Sequence, residues 1–354
     1  MMQLVEHFPV LIVGLSMFTG FTMLLAGFLN RRLPYAIALV MNSFFFILSL
    51  FILDYVLTVG PIRYWLGGWR PPWGIEYVVD AMNAYLLIIV IFIIILGLIY
   101  SRSNVKHEIE ERKHPTFYTL IQLMAAGLYG MTVTGDLFNM FIWLEIASLT
   151  AYALIAVAGG RALRPAYNYV IMGSIGAVLY IFGVCWLYSV TGTLNMADMR
   201  LLLPLVYTNK VVQMGFAMIV VGVMIKAYIF PLHLWQPDCY TWAPSTISSM
   251  MASVHVKVMF YMLIRLFFSV FTLNFIWQYI GFDLLLCWLA AAAILAGSIW
   301  AIKQSNLKRM LAYSSISQIG YLLLGLGLSP FSYWGVVGLV AHILNHAVGK
   351  GCLF

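Results

Sequence analysis

The chain has 354 residues, 63% of them hydrophobic and only 9% charged, with a formal net charge of +7. So little charge cannot clothe a water-soluble domain, and a soluble fold is excluded. Apolar stretches recur from Phe8 to Phe354, which excludes a lone signal peptide, and they are too long and continuous for the alternating strands of an outer-membrane barrel. The remaining class is all-α, a polytopic membrane helix bundle. The positive surplus forms no basic block with interleaved aromatics, so it points to membrane orientation and not to nucleic acid. Cys185, Cys239, Cys287 and Cys352 lie far apart. No CxxC or Cys/His spacing suggests a metal, and no cofactor is expected.

At about 20 apolar residues per crossing, eleven spans are predicted: 8–29, 34–58, 79–100, 116–134, 137–158, 166–190, 212–253 with a break, 255–272, 280–301, 311–328 and 333–354. Polar connections fall at 59–78, 101–115 and 191–211. Asp54, Asp80, Asp136 and Asp283 fall at span ends and are read as solvated at the membrane interface. Trp65, Trp69 and Trp73 are read as interface anchors. An outside N-terminus places Arg31, Arg32, Arg102, Lys106, Arg112, Lys113, Arg161, Arg164, Lys303, Lys308 and Arg309 inside, and leaves Arg63, Arg70, Arg200 and Lys210 outside. The positive-inside rule therefore predicts an inner-membrane protein with its N-terminus out and its C-terminus cytoplasmic.

Residues 212–253 are unusual. As one helix they would run about 63 Å, about twice the hydrocarbon thickness. They contain Pro231, Pro237 and Pro244 together with His233, Gln236 and Asp238. Proline removes a backbone donor, and broken backbone at membrane depth survives only where protein or a water cavity satisfies it. The expectation is two half-helices joined by a buried extended stretch, Phe230 to Ala243, with Pro231, His233, Gln236, Pro237 and Asp238 lining an ion path.

An ionisable side chain at mid-membrane costs about 2.5–3.5 kcal/mol or more, so each one is a functional candidate. Glu145 falls near the middle of its span and Lys226 just before the break. A carboxylate brought beside a desolvated lysine opposes the effect of burial, and such a pair can exchange a proton near neutrality. Lys257 is the next candidate. His255, two residues earlier, belongs to a different helix face. His342, His346 and Lys350 recur at i, i+4 and i+8, a stripe about 12 Å long on one face, suited to a relay because imidazole titrates near physiological pH.

These residues sit in recognisable text. Leu307 to Tyr321 (LKRMLAYSSISQIGY), Ala341 to Ala347 (AHILNHA) running on to Lys350, and Phe230 to Asp238 (FPLHLWQPD) followed by Ala243-Pro244 resemble the antiporter-like subunits of respiratory complex I, the Mrp cation/proton antiporters and the membrane-bound hydrogenases. Gly67-Gly68-Trp69, Pro72, Gly74-Ile75 and Val79-Asp80-Ala81 look most like the large Mrp subunits, the D type above all.

The resemblance implies three leading helices over 1–100, a first five-helix repeat with a broken helix over 116–272, and an inverted second repeat beginning at 280–354. It implies that Glu145, Lys226, Lys257, His342, His346 and Lys350 carry protons along a mid-membrane axis; His255 is a possible further site on its own chemistry, with a hydrogen-bonded packing role as the alternative. The family's second broken helix and last ionisable residue are expected beyond Phe354, so the second repeat reads as incomplete and its missing half as supplied by a partner or by a longer chain. The implied function is a proton-translocating subunit of a multisubunit ion-pumping complex, with the Mrp-type Na+/H+ antiporter branch favoured. The implied partners are other membrane subunits, the lipid bilayer, protons and Na+. A redox-driven NADH dehydrogenase or hydrogenase is the rival complex, and a non-transporting assembly subunit the rival of another class.

Overall fold

The computed structural model describes residues 2–354, with side chains from Leu4 onward. Helices α1 (Phe8–Leu29), α2 (Leu33–Thr58), α3 (Ala81–Glu108), α4 (His114–Val133), α5 (Leu137–Ala156), α6 (Leu163–Thr191), α7 (Lys210–Lys226), α8 (Gln236–Trp242), α9 (Ser245–Val270), α10 (Phe282–Ile302), α11 (Leu307–Leu328) and α12 (Tyr333–Leu353) carry the apolar sequence. A small antiparallel hairpin, β1 (Ile62–Trp65) and β2 (Glu76–Val79), joins α2 to α3. Polar side chains start several helices by satisfying orphan amide groups. Asp80 and Asn83 form a capping box on α3, Asn306 caps α11 and Ser332 caps α12.

Asp136, expected to be solvated, is buried and caps α5 by accepting the Asn139 amide at 2.7 Å. Burial raises its carboxyl above the ordinary range, opposed by the amide groups of Asn139 and Phe138. A carboxylate with a fixed local donor can sit out of water where a bare one cannot.

Among the described residues, nine helices are long and apolar enough to cross a membrane. The other two predicted crossings fall on α4 and α7. Helix α7 has only 17 residues. Helix α4 is surrounded by α1, α2, α3 and α5, and nearly all of its residues from Phe117 onward are buried. A helix sheathed by protein has no need of an apolar exterior and tolerates polar side chains. Its Gln122 accepts from the Asn42 amide at 2.7 Å, and Tyr129 donates to the Asn42 carbonyl at 2.6 Å.

The boundary predicted between 253 and 255 is not there. Helix α9 runs unbroken from Ser245 to Val270 and absorbs its irregularity as a π-turn over Met251–His255. The stretch Phe230 to Ala243 is not extended either: turns lead into α8. Pro237 fits that helix because its missing amide falls in the first turn, where no intrahelical bond is lost.

The chain divides into two compact units, one of Met1–Tyr167 with Trp242–Met250 and one of Asn168–Thr241 with Met251–Phe354. In the second, α6 and α7 approach through facing glycines, Gly176 with Gly222 and Gly183 with Gly215. A Cβ on Gly222 would lie 2.5 Å from the Gly176 carbonyl oxygen and 2.8 Å from the Tyr180 amide. Backbone cannot yield as a side chain does. Gly222→Leu is therefore expected to destabilise the protein by about 1–3 kcal/mol or more, read as a lower melting temperature in detergent. Gly14→Leu, where nothing lies within 4 Å, is expected to leave that temperature nearly unchanged.

Candidate functional site

Lys226 is the last residue of α7 and is 1% exposed. The helix does not end at a proline. It ends because Tyr228 turns left-handed, with φ 43°, so that the Ile229 amide reaches the Met224 carbonyl at 2.9 Å and the Tyr228 amide reaches Ile225 at 3.2 Å. That bond pattern is a Schellman motif, whose left-handed position is usually glycine. Here aromatic packing holds a tyrosine in it: Tyr228 lies edge-on to both Trp235 and Tyr240. Trp235 stacks on Tyr169 at 3.8 Å and donates its indole N–H to the Ile225 carbonyl at 3.1 Å. The lysine thus sits at the negative end of the helix dipole, which favours a cation, while the carbonyls just before it are already taken.

Of the residues expected to line the break, His233, Gln236 and Pro237 are buried. His233 stacks on Phe230 and Trp300, and Gln236 donates to the Ala312 carbonyl at 3.4 Å. Pro231 is exposed. Asp238 lies at the rim, paired with Arg309 at 3.4 Å, and both side chains are more than 40% exposed.

Helix α9 carries His255 at the end of its π-turn and Lys257 just after it, 1% and 0% exposed. The Lys257 ammonium donates to the Ala252 carbonyl, five residues back. The π-turn packs against α12, and the stretch that follows it packs against α7. His342 is half-buried, while His346 and Lys350 are buried on the same face. The two imidazoles lie nearly parallel with centroids 5.8 Å apart. Lys350 donates to the Leu311 carbonyl at 3.0 Å, an oxygen that also accepts from Ser315. Lys257 is within electrostatic reach of Lys350, His342 and His346, and His255 of Lys226.

The second unit therefore gathers Lys226, His255, Lys257, His342, His346 and Lys350 around α9. Glu145 belongs to the first unit, near the middle of α5 and partly exposed. No sequence signal marked the tyrosine that ends α7, the π-turn, or the Leu311 and Ala312 carbonyls. Ser315 was legible only as a polar residue in an apolar span.

Residues 134–354 match the family described as NADH:quinone oxidoreductase/Mrp antiporter, transmembrane. NADH-quinone oxidoreductase subunit N of Desulforudis audaxviator (strain MP104C) is 39% identical over 98% of this chain and 69% of its own length.

The chain belongs to the NADH:quinone oxidoreductase/Mrp antiporter transmembrane family.

Both branches of that family appear among its relatives. The D subunit of the Na(+)/H(+) antiporter of Bacillus subtilis (strain 168) is 32% identical over 87% of this chain. The chain spans only 61% of that relative's length. A subunit of the membrane-bound sulfane sulfur reductase, an archaeal respiratory membrane complex, superimposes with a TM-score of 0.87 at 31% identity, over 97% of this chain and 69% of that one. A chain of the Mrp complex from Dietzia sp. DQ12-45-1b shares the fold, with a TM-score of 0.88 at 22% identity over 99% of this chain and 63% of that one. This member of the family is accordingly a helical membrane protein with a broken helix, α7–α8, in its second unit.

Proposed function

We propose that the chain is a proton-translocating, antiporter-like subunit of a multisubunit ion-pumping membrane complex. The observation that carries this is the burial of Lys226, Lys257 and Lys350 in one unit, with the ammonium groups of Lys257 and Lys350 held by backbone carbonyls. Cations buried against neutral carbonyl oxygens, as Lys257 and Lys350 are, are costly as scaffold, yet each can give up its proton. In this reading Glu145 and Lys226 form the input pair, and Lys257, His342, His346 and Lys350 carry the proton onward. His233, Gln236 and Pro237 line the break. The chain supplies the three leading helices, the first repeat and the start of the inverted second repeat, with its N-terminus outside and C-terminus cytoplasmic. It works beside other membrane subunits, and Na+ is the exchanged ion in the Mrp-type branch.

The identity to subunit N and to the archaeal respiratory subunit favours a second reading at the level of the complex, in which redox chemistry elsewhere drives the same proton path.

The test is the intact complex in vesicles with an internal pH dye, carrying Glu145→Ala or Lys350→Ala. Each is expected to lower the driven proton flux about tenfold or more with assembly preserved. Wild-type flux in both would mean that the subunit only supports its neighbours.

A further inference from the structure

The far end of α9 does not simply stop. A π-turn over Leu266–Val270 closes with the Phe271 amide on the Leu266 carbonyl at 2.9 Å, and a second π-turn follows over Phe275–Ile280. Between them Thr272 is left-handed, with φ 62°. A little further on, before α10, the chain needs the same conformation and uses Gly281, with φ 65°, which adopts it freely. A β-branched residue is strained there. Strain of this kind persists only where the surroundings over-determine it, and it clusters in segments that switch. Short π-turns likewise recur at functional sites.

Two other parts of the second unit hold the bend. Tyr207, in the connection before α7, donates its hydroxyl to the Phe271 carbonyl at 2.6 Å, and that hydroxyl lies 3.0 Å from the Thr272 hydroxyl. The tyrosine ring packs on Phe275 at 4.6 Å. Phe216 of α7 meets Phe267, Phe271 and Phe275 at 6.1, 4.9 and 5.4 Å, and so spans the bend from one π-turn to the next. Helix α7 ends at Lys226 and α9 carries Lys257. The two lysine-bearing helices are therefore joined by aromatic rings at this bend.

We propose that the bend at Thr272 is a two-state switch, latched by Tyr207, that changes the packing of α7 against α9 during turnover. In the latched state Thr272 is left-handed and the Phe271 carbonyl is taken by the tyrosine. In the released state Thr272 relaxes to the right-handed region, and residues 272–280 join α9 as one helix. Phe216 then loses its fixed set of rings, and α7 is free to shift along α9. This switch rests on the proposed proton-carrying roles of Lys226 and Lys257. A fixed row of carriers would conduct in either direction, whereas a pump needs a part that moves.

The test combines Tyr207→Cys with Thr272→Cys in the intact complex in vesicles, with Cys185, Cys239, Cys287 and Cys352 replaced by serine. A short, cleavable bifunctional thiol reagent bridges the pair. The bridge is expected to lower maximal proton flux about tenfold or more, and its reduction to restore the flux. A rigid bend would not notice a bridge between two positions already in contact, so full flux in the bridged complex overturns the switch. Should the pair fail to assemble, to transport or to bridge, amide deuterium exchange on the wild-type complex decides. Exchange at residues 271–280 is expected to quicken under an imposed proton gradient, and equal rates in the resting and driven complex overturn the switch. Lys226→Ala serves as the reference: wild-type flux in that variant would remove the underlying reading itself, whereas the bridging and exchange results bear on the bend alone.

Discussion

Replacing Lys226 with alanine is expected to lower proton-coupled transport by about a hundredfold or more while the complex still assembles. The fold should survive because the end of α7 does not depend on this side chain. Its last carbonyls are closed by the amides of Ala227, Tyr228 and Ile229 and by the Trp235 indole. Lys226→Arg separates two roles. Arginine keeps the positive charge but does not release its proton at any accessible pH. A charge that merely holds the bundle together would be served by arginine, and transport would persist. A proton carrier would not be, and transport should fall as far as in the alanine variant. Proton flux and native-gel assembly measured on both variants decide between the two.

The second large effect is expected at Lys257, where function and stability should move in opposite directions. Its side chain is fully buried, and its ammonium meets only the Ala252 carbonyl among the described residues. No carboxylate lies within 4 Å of it among those residues, and the Lys350 ammonium is within electrostatic reach of it. Such a charge is costly to bury, and replacing buried ionic groups with apolar side chains of similar volume is often stabilising by about 1–4 kcal/mol. Methionine matches the lysine stem in length and flexibility. Lys257→Met is therefore expected to raise the apparent melting temperature of the complex in detergent and to abolish proton flux. A lower melting temperature with flux intact would make Lys257 a structural anchor.

Much of the site was legible before any coordinates because a membrane makes charge conspicuous. Lys226, Lys257, His346 and Lys350 stand out in spans that are otherwise apolar, and all four are buried in one unit. The i, i+4, i+8 stripe on α12 follows from helical geometry alone. Its grading is not so simple, since His342 is only half-buried and lines a groove between α11 and α12. The proline-rich stretch correctly signalled a broken helix. It misplaced the cause, because the break occurs at Tyr228, ahead of Pro231, through a backbone conformation that no local propensity favours for tyrosine.

Sequence by itself determined the class, the membrane medium and the identity of the charged groups, because hydropathy and the cost of charge in hydrocarbon act residue by residue. Only the tertiary structure decided that Asp136 is a buried cap, that α9 continues through a π-turn, and that Asp238 sits at a half-exposed ion pair. The cap on α5 is local, but the burial of Asp136, the course of α9 and the Asp238–Arg309 pair depend on what other parts of the chain pack against them. That is a property of packing, which a one-dimensional pattern of apolar and polar residues does not encode.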